Sequence, residues 1–218
     1  MRTITVTNLK GGVAKTTTSW FLAAAARRRN EWSVLLIDLN VETASSYDWW
    51  YQLGLKGHRD EDMLVVQAPD PKDPVGAVKE FLSEHWDLDR TVVIFDCPPG
   101  NDLIIQGAME LADVIIVPTT TNPADVRQAP ATLELADRVN AERRREAERE
   151  IPVVALPVKV RTQVNEAKEI GPFLQKAGFL LPRNWIADRI DIARAYGHMP
   201  GHLFGYLALW DELEVAFR

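Results

Sequence analysis

Cysteine is nearly missing from this chain. One of its 218 residues, Cys97, is a cysteine, so no intramolecular disulfide can close and no cysteine-rich zinc or iron–sulfur centre can assemble. Long apolar runs are missing too: none approaches the roughly 18 residues of a membrane span, and the first residues lack the charged-then-apolar layout of a signal peptide. Basic charge is not in excess. The 25 Lys and Arg face 31 Asp and Glu for a net charge of −6, which argues weakly against a surface coated for nucleic acid but leaves local patches open. No Gly/Ser-rich linker and no internal repeat divides the chain. These absences exclude a disulfide scaffold, a metal-cluster carrier and a membrane-spanning protein, and they lead us to expect a single cytoplasmic domain over residues 1–218. Its 46% hydrophobic residues suffice for a sizeable core.

Six short runs rich in apolar and β-branched residues lie at 3–8, 34–38, 63–67, 91–96, 113–118 and 152–156. Cores such as "VLLID", "VVIFD" and "VIIVP" are nearly continuous rather than alternating, as expected of strands covered on both faces. Helix-like stretches fall between them, at 16–29, 74–84, 103–111, about 123–149 and 165–176. This alternation predicts an α/β fold, a doubly wound and mostly parallel sheet with helices on both faces. The charge run at 141–150, "AERRREAERE", balances four Arg with four Glu and reads as a solvated helix end. Of the seven Trp, Trp49 and Trp50 stand next to each other and read as packing aromatics. Cys97 reads as a small buried thiol.

In open α/β sheets ligands bind beyond the carboxyl ends of the strands. At the exit of the first strand the chain reads "TNLKGGVAKTTT" and passes directly into an Ala-rich helix. Backbone N–H groups around Gly11, Gly12, Val13 and Ala14 can curl around an anion, aided by the helix N-terminus. Lys15 is placed to lie along β and γ phosphates, the Thr16 hydroxyl to complete a magnesium shell, and Thr17 follows in the same turn. Leu9 and Ala14 occupy the two glycine positions of the ordinary pattern G-x-x-x-x-G-K-[ST]. The pattern that fits is K-G-G-x-x-K-[ST], with Lys10 as an additional lysine. Chance would produce that many fixed residues only about once in ten thousand chains of ordinary composition.

With this loop the sequence resembles the ParA/MinD family of deviant Walker ATPases, a P-loop NTPase type, and most closely the short ParA-type partition ATPases without an N-terminal helix-turn-helix domain. The resemblance covers nearly the whole chain, through "KGGVAKTT" at 10–17, "VLLIDLN" at 34–40, "VVIFDCPPG" at 92–100, "ADVIIVPTTTNPADV" at 112–126 and "RIDIARAYG" at 189–197. It implies ATP and Mg2+ as cofactors. Lys10 is implied to reach across a sandwich dimer to the partner's nucleotide, coupling ATP to dimerisation. Asp96 corresponds to the Walker B carboxylate, and with Thr16 and Asp38 completes the implied magnesium set. The family usually shows D-x-D where this chain has Asp38 and Asn40. An amide can hold the attacking water but cannot take its proton, so the expected hydrolysis is slow, with Glu42 as a substitute carboxylate.

The segment 118–130 resembles a proline-containing loop near the nucleotide and dimer face, and reads equally as a plain turn with Asn122 as N-cap and Pro123 at the first helical position. Family members usually recognise adenine through a polar pair where this chain has Leu156-Pro157-Val158-Lys159, so the base-contacting residues stay open. The resemblance also implies non-specific DNA binding by the ATP dimer. Lys159, Arg161, Arg189 and Arg194 are the candidates, with Lys168 and Arg183 beside them. A nucleoid-associated dimer stimulated by a ParB-like centromere-binding partner follows as the leading expectation. The alternatives are a ParA-like positioner of a protein cargo, an ATP-binding switch with little hydrolysis, and a small-molecule synthetase. No membrane partner is expected, because the end "LFGYLALWDELEVAFR" carries three acidic residues and only Arg218 as a base. His198 and His202 flank Pro200-Gly201 and do not suggest a metal site.

Overall fold

Every strand run of the sequence becomes a strand in the computed structural model, which describes residues 1–30, 32–57, 60–82, 86–161 and 166–217. In chain order the elements are β1 (Arg2–Val6), α1 (Lys15–Asn30), β2 (Ser33–Asp38), α2 (Ser45–Leu55), β3 (Met63–Gln67), α3 (Pro74–Phe81), β4 (Thr91–Asp96), α4 (Asp102–Glu110), β5 (Val114–Thr120), α5 (Pro123–Arg145), β6 (Val153–Val158), α6 (Glu166–Ala177), α7 (Ile190–Ala193) and α8 (Gly205–Ala216). The strands form one sheet in the order β3-β2-β4-β1-β5-β6, parallel at every pairing.

Side chains alternate between two cores, which explains why the strand runs read as continuously apolar. Val34, Leu36, Val92, Ile94, Val114 and Ile116 face the layer that holds α1, α2 and α8, whereas Leu35, Ile37, Val93, Phe95, Ile115 and Val117 face α4 and α5. β1 follows the same alternation with a difference. Its Ile4 and Val6 enter the first core, but Thr5 is on the other side, where its hydroxyl donates to the Ala108 carbonyl at 2.7 Å. That bond satisfies a polar group buried at 0% exposure.

α1 is buried along Trp20–Ala26 because it lies between the sheet and α8. Small alanines permit that close approach. The tryptophans do pack: Trp20 stacks on Trp49 with centroids 4.9 Å apart, and Trp50 is 6.3 Å from Trp20. The C-terminal segment is an internal helix, with Tyr206, Leu209, Trp210 and Leu213 buried. No helix among the described residues is long and apolar enough to cross a membrane.

Several boundaries differ from the sequence expectation. α5 stops at Arg145, not near 149, since Ala147 turns into the left-handed region at φ 58. Beyond it Arg144–Glu150 and Arg143–Glu148 ion pairs hold an exposed tail, in keeping with a solvated helix end. α3 ends at Phe81, and the last predicted residues of that stretch, like Asn165 and Arg218, lie outside the described residues. α2 has no counterpart among the predicted helices, as its Trp-Trp-Tyr run hides the helical period.

Candidate nucleotide site

Sheet register assembles the site. Asp38 and Asp96 end neighbouring strands and are direct register partners, while Val6, the last residue of β1, pairs with Asp96 on its other side. The loop from Thr7 to Ala14 leaves β1 at this edge and enters α1 at Lys15. Within it Gly12 has φ +77 and Ala14 φ +66. Gly12 takes that conformation freely; alanine does so at a cost of about 1 kcal/mol, a strain localised where the backbone N–H groups must turn toward a ligand. Gly11 needs no positive φ. Its missing side chain keeps the loop clear beside Pro99, whose Cβ lies 3.9 Å from where a Cβ would be.

Around this loop is a cleft of about 360 Å³ lined by Gly11, Gly12, Ala14, Lys15, Thr16, Thr17, Asn40, Thr43, Ser45, Cys97, Pro99 and Lys159. Lys15 is 8% exposed, and its Nζ donates to the carbonyls of Asn8 at 3.1 Å and Lys10 at 2.9 Å. Burial pulls its ammonium below the ordinary lysine value, and Asp96 partly counters that. A desolvated cation at a helix start is a strong receptor for a phosphate oxygen.

The Thr16 hydroxyl donates to Asp96 Oδ2 at 2.7 Å, and the Ser46 hydroxyl donates to the same oxygen at 2.8 Å. Asp96 Oδ1 is buried with no hydrogen-bond partner among the described residues. An orphaned carboxylate oxygen beside a threonine hydroxyl fits Mg2+, a hard cation that takes few protein oxygens and completes its shell with phosphate and water. Bound there, the ion would neutralise phosphate charge; Thr16 and Asp96 would hold it, with Asp38 alongside. Asp38 itself is an organiser. Its Oδ1 accepts from Asn40 N at 2.9 Å, and its Oδ2 from Ser46 N at 2.8 Å and Tyr47 N at 3.2 Å, which fastens the start of α2.

Burial, then the neighbouring Asp38, pushes the Asp96 carboxyl up to about 7 from 3.8. The folded chain therefore keeps a proton that the unfolded chain releases. Stability is expected to fall as pH rises across that interval, by up to ~1.4 kcal/mol per unit, and to level off above it. Urea denaturation of the wild type and Asp96→Asn at about pH 5 and about pH 8 measures this, and the variant should lose the slope.

The predicted residues do not all converge. Asn40 is at the cleft, but its Nδ2 donates to Thr43 Oγ1 at 2.7 Å. Glu42 is exposed on the turn and does not line the cleft. Lys10 is at the rim, 2.6 Å from Asp125. Of the basic candidates, Lys159 lines the cleft, Arg189 lines an adjoining cleft of about 220 Å³ with Val158, Ile186 and Tyr206, and Arg194 is exposed at the end of α7. Arg161 pairs with Asp188 at 2.8 Å. The side chain of Lys168 lies outside the described residues. Asn122 caps α5 by accepting from Ala124 N, in line with the turn interpretation, whereas Asp125 reaches the phosphate loop. Cys97 is 2% exposed and its thiol is pushed well up by burial, as expected of an inert group.

Sequence reasoning missed Thr43, Ser45 and Ser46. The signal was present as a cluster of hydroxyls after "DLN", yet nothing in the spacing said that α2 would start against both aspartates.

Known proteins with this architecture are consistent with the geometry. The chain is 31% identical over 139 residues to "Maintenance of carboxysome distribution protein A" of Halothiobacillus neapolitanus, an alignment covering 62% of this chain and 58% of that relative. The chain thus spans little more than half the length of the curated relative. Its backbone superposes on the ATP complex of a Cyanothece McdA variant with a TM-score of 0.72 at 17% identity, covering 100% of this chain and 96% of the other. On the septum site-determining protein MinD of Pyrococcus horikoshii with Mg-ADP the TM-score is 0.72 at 15% identity, covering 98% and 96%. Residues 4–194 match the family described as the CobQ/CobB/MinD/ParA nucleotide binding domain. Given a phosphate loop, two register-paired aspartates and a match over most of its length, this chain belongs to the CobQ/CobB/MinD/ParA nucleotide-binding family.

Proposed function

We propose that this chain is a ParA-type positioning ATPase: it binds MgATP, closes as a face-to-face dimer around two nucleotides, holds DNA without sequence preference, and releases it on hydrolysis. One observation carries the proposal. The phosphate loop has two lysines with different directions, Lys15 turned into the cleft and Lys10 turned out at its rim. A single triphosphate is served by the first. The second gains a use when another chain brings its own phosphates to the rim, where developing charge needs neutralising. The adjoining cleft beyond Lys159 suits the base and ribose, with Ile186 and Ile192 as apolar walls.

DNA contact in this proposal rests on Lys159, Arg189 and Arg194, with Arg161 released from Asp188 or contributing less. Dimerisation doubles any such patch, so affinity should appear with ATP and fall steeply with salt. The dimer would then be cytoplasmic and associated with the nucleoid. The name of the Halothiobacillus relative speaks of carboxysome distribution. That favours a protein body as cargo, with its own adaptor, over a replicon carried through a ParB-like centromere-binding protein. ATP turnover measured with and without DNA, and with the product of any small adjacent reading frame, tests the proposal. Joint stimulation is expected; rates that ignore both would overturn it in favour of a binding switch.

Hydrolysis should be slow, because Asn40 can orient water but accepts no proton and its amide is already given to Thr43. Asn40→Asp is expected to raise the stimulated turnover about tenfold. A variant no faster than wild type under DNA and partner stimulation would sink this account of Asn40.

A further inference from the structure

At the rim of the cleft Lys10 has a dedicated partner. Its Nζ lies 2.6 Å from Asp125 Oδ1, with the two side chains 29% and 12% exposed. The other Asp125 oxygen accepts from the Thr120 hydroxyl at 2.5 Å. The carboxylate is therefore held from both sides. Its backbone is held as well: Asn122 caps α5, and Asp125 N donates to Asn122 O at 2.9 Å. The lysine is equally constrained, since Lys10 N donates to Asn8 Oδ1 at 2.9 Å and Asn8 Nδ2 donates to the Pro118 carbonyl at 2.9 Å, tying the loop to β5. Burial alone would raise the Asp125 carboxyl, but Lys10 and Thr120 outweigh it and leave it below the ordinary value. A lone surface ion pair has none of this scaffolding.

We infer that Asp125 is the positioning residue of Lys10, holding its ammonium on its own chain until a second chain's nucleotide displaces it. The inference rests on the reading of Lys10 as the lysine that crosses the dimer. One ammonium in contact with Asp125 cannot also sit among the phosphates of a facing chain. Closing the dimer must then break two of these pairs, one per protomer, and their strength helps set the ATP concentration at which closing occurs. Asp125 thereby favours the open monomer and makes dimerisation conditional on a full triphosphate.

Sedimentation velocity of the full chain across an ATP titration with Mg2+ tests this. Asp125→Asn should dimerise at about three- to tenfold less ATP than wild type. Thr120→Val, which leaves the ion pair but frees one carboxylate oxygen, should shift the midpoint the same way by less. Asp125→Glu, which restores the charge, should return it toward wild type, a rescue that a purely structural aspartate would not show. Lys10→Ala should stay monomeric at every ATP concentration. If Asp125→Asn does not fold, the Thr120→Val and Asp125→Glu shifts decide the matter. A wild type that dimerises through Lys10 while Asp125→Asn needs the same or more ATP overturns the role of Asp125 alone. A wild type that stays monomeric at saturating ATP, or a Lys10→Ala variant that dimerises like it, overturns the dimer reading and this inference with it.

Discussion

Replacing Lys15 with alanine is expected to weaken ATP binding by about 100- to 1,000-fold, the largest functional effect of any single change in this chain. The magnitude follows from burial. Lys15 is 8% exposed and already desolvated, so its contact with a phosphate oxygen forms in a medium where charge counts far more than in water. Its ammonium is also aligned in advance by two backbone carbonyls, so little order is lost on binding. The fold should tolerate the change, because the freed carbonyls of Asn8 and Lys10 border an open cleft that water can enter. Titration with a fluorescent ATP analogue, alongside thermal melting, separates the two effects. Lys10→Ala is the informative contrast: its side chain points to the rim, so nucleotide affinity of the single chain should change by less than about threefold while dimerisation is lost. Equal losses from both variants would mean that the two lysines serve one phosphate group.

Trp210→Ala is expected to be the most destabilising substitution of those considered, at about 3–5 kcal/mol. The indole is at 0% exposure, edge-on to Trp32 at 5.8 Å and to Phe217 at 6.3 Å, and it closes the space between α8 and α1. Little can collapse into the cavity, since the neighbouring Ala23–Ala26 are too small to reach it. For a domain of this size the melting temperature should fall by roughly 10 °C. Val215→Ala on the same helix, at a residue 69% exposed, should stay within about 0.5 kcal/mol. Calorimetry on the two variants checks both numbers. The loss would also reach the site, because α8 braces α1 through the Thr18–Tyr206 hydroxyl contact at 3.1 Å and the Arg29–Asp211 pair at 2.8 Å.

How legible each part was depended on the range of the interaction behind it. The strands were legible because a parallel strand is buried on both faces and leaves a continuous apolar run of fixed length, as in "VVIFD". The phosphate loop was legible because an anion cradle needs consecutive backbone N–H groups, and consecutive positions are what a sequence displays. α2 was hidden, since its tryptophans serve a stack with Trp20 from another element and so break the helical period. Ser46 was hidden for a similar reason. Its hydroxyl has a partner 50 residues away in Asp96, and its N–H a partner in Asp38. Glu42 illustrates the opposite error. It was near Asn40 in sequence, but the turn carries it to solvent.

By itself, then, the sequence determined the chain's class and chemistry: a parallel α/β sheet, a phosphate loop with an extra lysine, a carboxylate ending each of two strands, and an amide where a second aspartate is usual. Each is written in residues close together along the chain. Only the tertiary structure decided which groups meet. The sheet order β3-β2-β4-β1-β5-β6 sets Asp38 against Asp96, brings α2 over both, and lays Asp125 beside Lys10 across more than a hundred residues of chain. Cysteine scarcity closed off cluster chemistry from the start, but the conditional contact of Lys10 could come only from the crossing of β5 over to its place beside β1. Strand order is set by how the whole chain packs its two cores, and no local run of residues carries that information.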